Sequence, residues 1–345
     1  MKLKLALKLG LAGCAAILLL AGYSASSQSN HSDQKVITFA HGAPTGSGPA
    51  VVLDKLPQQI ESATNKRYSM EVYGGGTLGG EPENIEAIEA GALDMAKVSG
   101  ITLEGFESLY GVFGLPFLFE DEDHLYRAMN ETNIVEQLNE VTYDKGFIMV
   151  GWYPSGARNF YTASNNPILS PDDLKGQKIR TMQNPSSTRM VQLLGGASTP
   201  MSSSETYTAL QQGVIDGAEN NELALTANSH KDVIKSYSYT EHQMIPDIFL
   251  MSTEFYETLS DEDYQTIVTA IEENNEEFRS VNQDLLTESR KVAEEAGVEF
   301  YDEIDKEPFR EKVTPMYDDF VAKGATYEEV YETINSVRGS DGSDE

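Results

Sequence analysis

The sequence predicts an α/β fold, and three observations carry that expectation. Strand-like and helix-like patterns alternate from Lys35 onward, 40% of the 345 residues are hydrophobic, and no glycine or proline interrupts the stretch between Ser260 and Gly297. Alternation of this kind packs helices over largely parallel sheets. The length and apolar content suffice for one large core or two modest ones.

Residues 36–40 read as the first strand, 48–64 as a helix, 68–73 as a strand, 82–91 as a helix and 93–98 as a further strand. A second set starts near Gly146, with 147–152 as a buried strand and 178–182 as another. Helix 185–194 follows, since Pro185 is tolerated in a first turn, and then helix 204–212. Residues 214–218 read as a short strand that ends in a loop carrying Asn220. Ser260, with Asp263 three positions on, is a helix-start signature. Tyr264, Ile267, Val268, Ile271, Phe278, Val281, Leu285 and Leu286 then keep helical spacing up to Gly297. Such a helix would be about 50 Å long, enough to brace two lobes or to lie along one surface.

Ahead of this body, Lys2, Lys4 and Lys8 precede an apolar run over 9–22, the layout of a secretory signal and too short for a comfortable membrane span. Residues 23–35 read as a flexible polar tether, and 338–345 as a disordered tail. The only cysteine, Cys14, lies within the signal segment, so no disulfide framework is expected. Leu11-Ala12-Gly13-Cys14 has the cysteine of a lipoprotein box after a short apolar run, and Leu20-Ala21-Gly22-Tyr23 resembles the box without it. A free exported protein and a lipid-anchored one both fit.

A net charge of −30 repels nucleic acid and anionic lipid. An anionic ligand would be repelled too, unless its site lies in a cleft where local cations outweigh the distant field. Arg158 and Arg180 are the candidates for that condition, sitting in Gly-, Pro- and aromatic-rich stretches with Asn220 downstream; two surface arginines and a turn asparagine is the alternative that spacing alone leaves open. A guanidinium is a rigid fork of donors that matches a carboxylate in two parallel bonds. Two forks and an amide would make a socket for a small organic acid.

Gly74-Gly75-Gly76-Thr77-Leu78-Gly79 satisfies a dinucleotide-binding glycine pattern, with Asp94 at the expected distance. Glu81, Glu83 and Glu86 crowd the start of the next helix, where a pyrophosphate would need free amides, so a glycine turn at a cleft edge is expected instead. No H-E-x-x-H, G-x-S-x-G or Walker pattern occurs, and the histidines are scattered at 31, 41, 124, 230 and 242. His41 and His242 lie beside apparent strands and are candidate donors to a ligand. No cofactor and no metal site is implied.

Several segments together resemble the solute receptors of tripartite ATP-independent periplasmic (TRAP) transporters. They are Gly76-Thr77-Leu78-Gly79-Gly80-Glu81, Gly91-Ala92-Leu93-Asp94-Met95, Gly114-Leu115-Pro116-Phe117-Leu118-Phe119, Gly156-Ala157-Arg158, Leu174-Lys175-Gly176 through Arg180, Gly195-Gly196-Ala197-Ser198-Thr199-Pro200-Met201 and Gly213 through Asn220. The likeness runs from Ile37 to about Tyr331. It implies a two-lobe, periplasmic-binding-protein-like α/β fold closing on one small acid by a hinge, with the long helix spanning both lobes. The lobes would comprise 36–155 with 246–285, and 156–245 with 286–337.

By the same resemblance, Arg180 makes the principal bidentate bond to the ligand carboxylate, Arg158 supports it and Asn220 completes the grip. Ser203 stands where some members carry an aromatic ring, and Ser202 and Ser204 beside it suggest a hydroxyl-tolerant pocket. Gln183, Glu81, Ser99 and Asp247 are further ligand candidates, and Trp152 is a candidate stacking surface for a sugar ring. This set resembles receptors for sugar acids, uronates above all, with C4-dicarboxylates and then keto, sialic and aromatic acids as the alternatives. The resemblance implies a monomeric, non-enzymatic, extracytoplasmic protein that delivers its ligand to membrane permease subunits, without an ATPase. Two other readings stay open: an exported enzyme acting on the same acids through carboxylates such as Glu81 and Glu219, and a receptor that signals to a membrane kinase.

Overall fold

Residues 34–339 are described by the computed structural model; the signal segment, Cys14, nearly all of the tether and positions 340–345 lie outside them. Among the described residues eleven strands form two sheets. They are β1 (Lys35–His41), β2 (Tyr68–Tyr73), β3 (Met95–Ser99), β4 (Phe147–Tyr153), β5 (Ala157–Thr162), β6 (Lys178–Thr181), β7 (Ala197–Pro200), β8 (Gly217–Asn220), β9 (Ser236–Met244), β10 (Asp247–Ser252) and β11 (Glu299–Tyr301). The first sheet runs β2-β1-β3-β10-β4 and the second β11-β9-β5-β8-β6-β7.

The expected parallel character holds only in part. β1 pairs in parallel with β2 and β3, and β6 with β7 and β8, but β10 runs antiparallel between β3 and β4, and β5 antiparallel to both β8 and β9. The inversions arise because the chain changes sheet twice. β4 passes into β5 through Pro154-Ser155-Gly156, and β9 returns into β10 through Ile245-Pro246. The two crossings are tied side by side, Ser155 Oγ donating to the Ile245 carbonyl.

Helix Asp261–Glu295 has 35 residues and is capped by Ser260, whose Oγ accepts from Asp263 N at 3.1 Å. Its Ile267, Ala270, Ile271 and Phe278 are buried in one core with Ile37, Phe39, Leu53 and Ile60 of the first sheet's layer. Ala293, near its other end, belongs to a second core with Tyr161, Leu225 and Tyr237. One helix thus packs on both sheets. Its contact with β4 requires Gly151, because a Cβ there would lie 2.5 Å from Ile271 Cγ2.

Three expectations need correction. Segment 48–64 is two helices, Gly48–Leu53 and Leu56–Ala63, because Pro57 has no N–H for the bond back to Leu53 and its ring opposes a continuous helix. The strand expected at 214–218 is displaced to Gly217–Asn220: the preceding helix, Ser203–Gln211, is closed off by Gly213, φ 69°, with Val214 N bonded to Ala209 O at 2.9 Å, and this cap occupies the first residues. Asn220 therefore ends a strand.

The third correction concerns the C-terminus, expected in the second lobe as far as residue 337. Helix Ala325–Asn335 instead packs on helices Glu122–Glu131 and Ile134–Thr142, which cover the first sheet. Val330 and Ile334 enter that core, His124 Nε2 lies 3.0 Å from Ile334 O, and Arg127 Nε donates to Val337 O at 2.9 Å. Arg338, where a disordered tail was expected to start, donates through Nη2 to Leu118 O at 2.7 Å.

Candidate functional site

A cavity of about 230 Å³ lies where the two sheets meet, lined from one side by Glu81, Lys97, Ser99, Thr102, Tyr153 and Asp247 and from the other by Arg158, Arg180, Gln183, Ser203 and Asn220. The sequence candidates Arg158, Arg180, Asn220, Gln183, Glu81, Ser99, Ser203 and Asp247 are therefore brought together. Gln183 and Ser203 are exposed, whereas Arg158 and Arg180 are only 5% and 4% exposed.

The two guanidiniums differ in what they have left to give. Arg158, on β5, meets Glu219 in a fork, with Nε at 2.6 Å from Oε2 and Nη2 at 3.0 Å from Oε1. Its Nη2 also donates to Glu219 O at 3.0 Å and its Nη1 to Asn220 Oδ1 at 2.9 Å. Four of its five N–H groups are engaged. Burial pushes the Glu219 carboxyl up, but Arg158 and His242 outweigh this and hold it at about 2, so the pair stays ionised.

Arg180, on β6, directs Nε and Nη2 at one acceptor, Met201 O, at 3.1 and 2.9 Å. No carboxylate pairs with it among the described residues, and burial lowers its pKa. Three of its N–H groups remain, forming the terminal edge of the fork. Asn220 uses Oδ1 to accept from Arg158 and from Asn221 N at 2.9 Å, which leaves its amide donors. The chemistry of this wall is that of an anion socket: one neutralised arginine holds the frame, and one arginine has open donors.

The facing wall has the opposite character. Glu81 heads helix Glu81–Glu89, and its Oε1 accepts from Ser99 N at 3.0 Å while Oε2 accepts from Thr102 Oγ1 at 2.5 Å. Burial and the nearby Asp247 raise its pKa, opposed by Thr102 and Lys97. Asp247, the first residue of β10, forms an ion pair with Lys97 of β3. Gly75, Gly76 and Gly79, with φ of 66°, 72° and 114°, make the turn at the cavity edge that a side chain would disfavour. The glycine pattern thus forms a cleft-edge turn, and the Glu81 carboxylate lies beside the helix start where a pyrophosphate would bind.

Three candidates lie elsewhere. Trp152 is buried, with Nε1 donating to Asn130 Oδ1 at 3.2 Å; side chains alternate along β4, so its neighbour Tyr153 faces the cavity instead. His242 is fully buried behind Arg158, stacked on Phe160 at 4.3 Å, with Nε2 3.7 Å from Glu219 Oε2. His41 is buried under the glycine turn, where a Cβ on Gly74 would lie 2.9 Å from its Cε1, and burial, then Lys97, pushes its pKa down to about 4. Glu219, offered for acid–base chemistry, is fully buried and held by Arg158.

Lys97, Thr102, Tyr153 and Phe278 are cavity residues that sequence reasoning missed. Lys97 did leave a signal: it is the only charge in the otherwise apolar and small Met95-Ala96-Lys97-Val98-Ser99, a wholly buried strand. A lone cation in such a strand needs a buried partner.

The chain is 43% identical over 285 residues to the uncharacterized protein YiiZ of Salmonella typhimurium, covering 82% of this chain and 86% of that protein. Among solved structures it is similar to a TRAP periplasmic solute-binding protein from Anaerococcus prevotii with bound α/β D-glucuronate, at TM-score 0.84 and 34% identity, covering 88% of this chain and 98% of the other. A second, from Xanthobacter autotrophicus with bound β-D-galacturonate, superposes at TM-score 0.81 with 32% identity, covering 87% and 99% of the two chains. Among the described residues no helix is long and apolar enough to cross a membrane. The model of the bacterial extracellular solute-binding proteins, family 7, matches residues 39–324, and with the two-sheet fold and its arginine-lined cavity this shows that the chain belongs to that family of TRAP solute receptors.

Proposed function

We propose that this protein captures a uronate, a sugar acid with one carboxylate, and delivers it as a monomer to the TRAP permease. The observation that carries the reading is the asymmetry of the two arginines: Glu219 neutralises Arg158, while Arg180 keeps three donors at the cavity. In this reading the ligand carboxylate takes the open edge of Arg180, with the Asn220 amide and the last N–H of Arg158 beside it. The ring hydroxyls donate to Glu81 and Asp247 across the cavity. The glucuronate and galacturonate held by the two similar structures support this choice of ligand.

Closure about the paired crossings at Ser155 and Ile245 would bury the ion pair in a medium where each charge-assisted bond counts for more. Export by the signal segment, with Cys14 removed or lipidated, would put the receptor on the permease side of the membrane. Calorimetric titration with D-glucuronate, D-galacturonate and succinate tests the ligand class. Saturable binding of a uronate, at least about tenfold tighter than succinate, is expected. Tighter binding of succinate would transfer the assignment to C4-dicarboxylates.

A further inference from the structure

The two cavity walls carry opposite net charge. On the second-sheet side Glu219 cancels Arg158, and Arg180 is left positive. On the first-sheet side Asp247 cancels Lys97, and Glu81 is left negative. Burial works against the charge on Glu81, but both of its carboxylate oxygens accept, from Ser99 N and from Thr102 Oγ1, the arrangement suited to the ionised form. Lys97 is 8% exposed, so its ammonium is committed to Asp247 and is not a mobile surface cation. A solute that spans the cavity meets a donor end and, opposite it, an acceptor end that repels anions.

We infer that Glu81, Asp247 and Lys97 form a charge filter that admits acids with one carboxylate and rejects diacids, both aldarates and short dicarboxylates. This deepens the uronate reading and rests on it. A hydroxyl at the far end has a proton to donate to either carboxylate. A second ligand carboxylate has none, and would be desolvated against two like charges whose only local counter-ion is already engaged. Asp247 sets the balance. Replacing it by asparagine removes one negative charge and also releases the Lys97 ammonium toward the cavity, so the same wall becomes neutral with a free cation.

The test is calorimetry on the mature protein with D-glucuronate, D-gluconate and D-glucarate. Gluconate and glucarate are both open-chain, so their affinity ratio reads charge and not ring shape. In the wild type, gluconate is expected to bind about 100-fold more tightly than glucarate. Asp247→Asn is expected to shrink that ratio at least about tenfold, and Lys97→Met to widen it. Glu81→Gln is expected to shrink it too and carries the test if Asp247→Asn shows no cooperative unfolding transition. A wild type that binds glucuronate and takes glucarate as well as gluconate overturns the filter and leaves the uronate reading standing. Ratios unchanged in both Asp247→Asn and Glu81→Gln overturn it as well. A wild type that binds none of the three acids overturns the uronate reading, and the filter with it.

Discussion

Arg158 and Arg180 look alike in sequence and differ in what the fold gives them. Arg158 is locked to a carboxylate that is 0% exposed, so Arg158→Ala would strand Glu219 as an uncompensated buried charge. A loss of about 3–5 kcal/mol in folding stability is expected, measured by urea unfolding without ligand. A change below about 1 kcal/mol would mean that Glu219 is not held in this way. For Arg158, Arg180 and Asn220, a context of glycines, prolines and aromatics left surface arginines and a turn asparagine equally open, and the family likeness is what directed them to the cavity they line. Trp152, His41 and His242 were misplaced because a one-dimensional pattern shows that a strand is present but not which side chains find partners inside it. Glu219 was read as a possible acid–base carboxylate and not as the partner of Arg158, because that pairing depends on β8 lying beside β5.

At the scale of elements, the long helix was the most legible part, whereas helices such as Glu122–Glu131 and Ile134–Thr142 were not read. The long helix announced itself by its cap, its apolar spacing and the absence of breakers. β9 was not legible, because Ser236, Ser238, Thr240, His242 and Gln243 give no apolar alternation, yet all five are buried. They are buried because they are bonded: Ser236 Oγ to Thr162 Oγ1 at 2.7 Å, Ser238 Oγ to Ile168 N at 3.0 Å, Gln243 Nε2 to Gly114 O at 2.7 Å. Missing β9 and β10 also hid the second crossing and the antiparallel pairs of those strands, and missing β5 hid its antiparallel pair with β8. The contact of the long helix with β4 gives an element-scale test. Gly151→Ala puts a methyl against Ile271 Cγ2 and is expected to cost about 1–3 kcal/mol, partly restored by adding Ile271→Leu, which removes that β-branch methyl at similar volume. Additive losses in the double variant would place the strain elsewhere.

For the whole molecule, the two-lobe plan followed from the family likeness, while the return of the C-terminal helix to the first sheet did not, since it depends on a long-range docking of Val330 and Ile334. Stability against acid is likewise a property of the whole fold. Burial, with Arg180 nearby, holds His230 at about 4, and burial and Lys97 hold His41 at about 4, both below the ordinary 6.5. The unfolded chain therefore takes up these protons first, so this contribution is complete above pH 6.5 and is lost as pH falls toward 4. The raised carboxyls of Glu81 and Glu104 act in the opposite sense, which makes a difference measurement necessary. Between those limits the wild type is expected to lose up to about 1.4 kcal/mol per pH unit more than His230→Phe, and parallel curves would contradict it. In the proposed function the ligand carboxylate takes the open edge of Arg180. Titrating D-glucuronate into Arg180→Ala, with the wild type alongside, is expected to show a loss of about 2–5 kcal/mol in binding free energy, a weakening of tens- to thousands-fold. A loss of less than about threefold would remove Arg180 from the site and contradict the account.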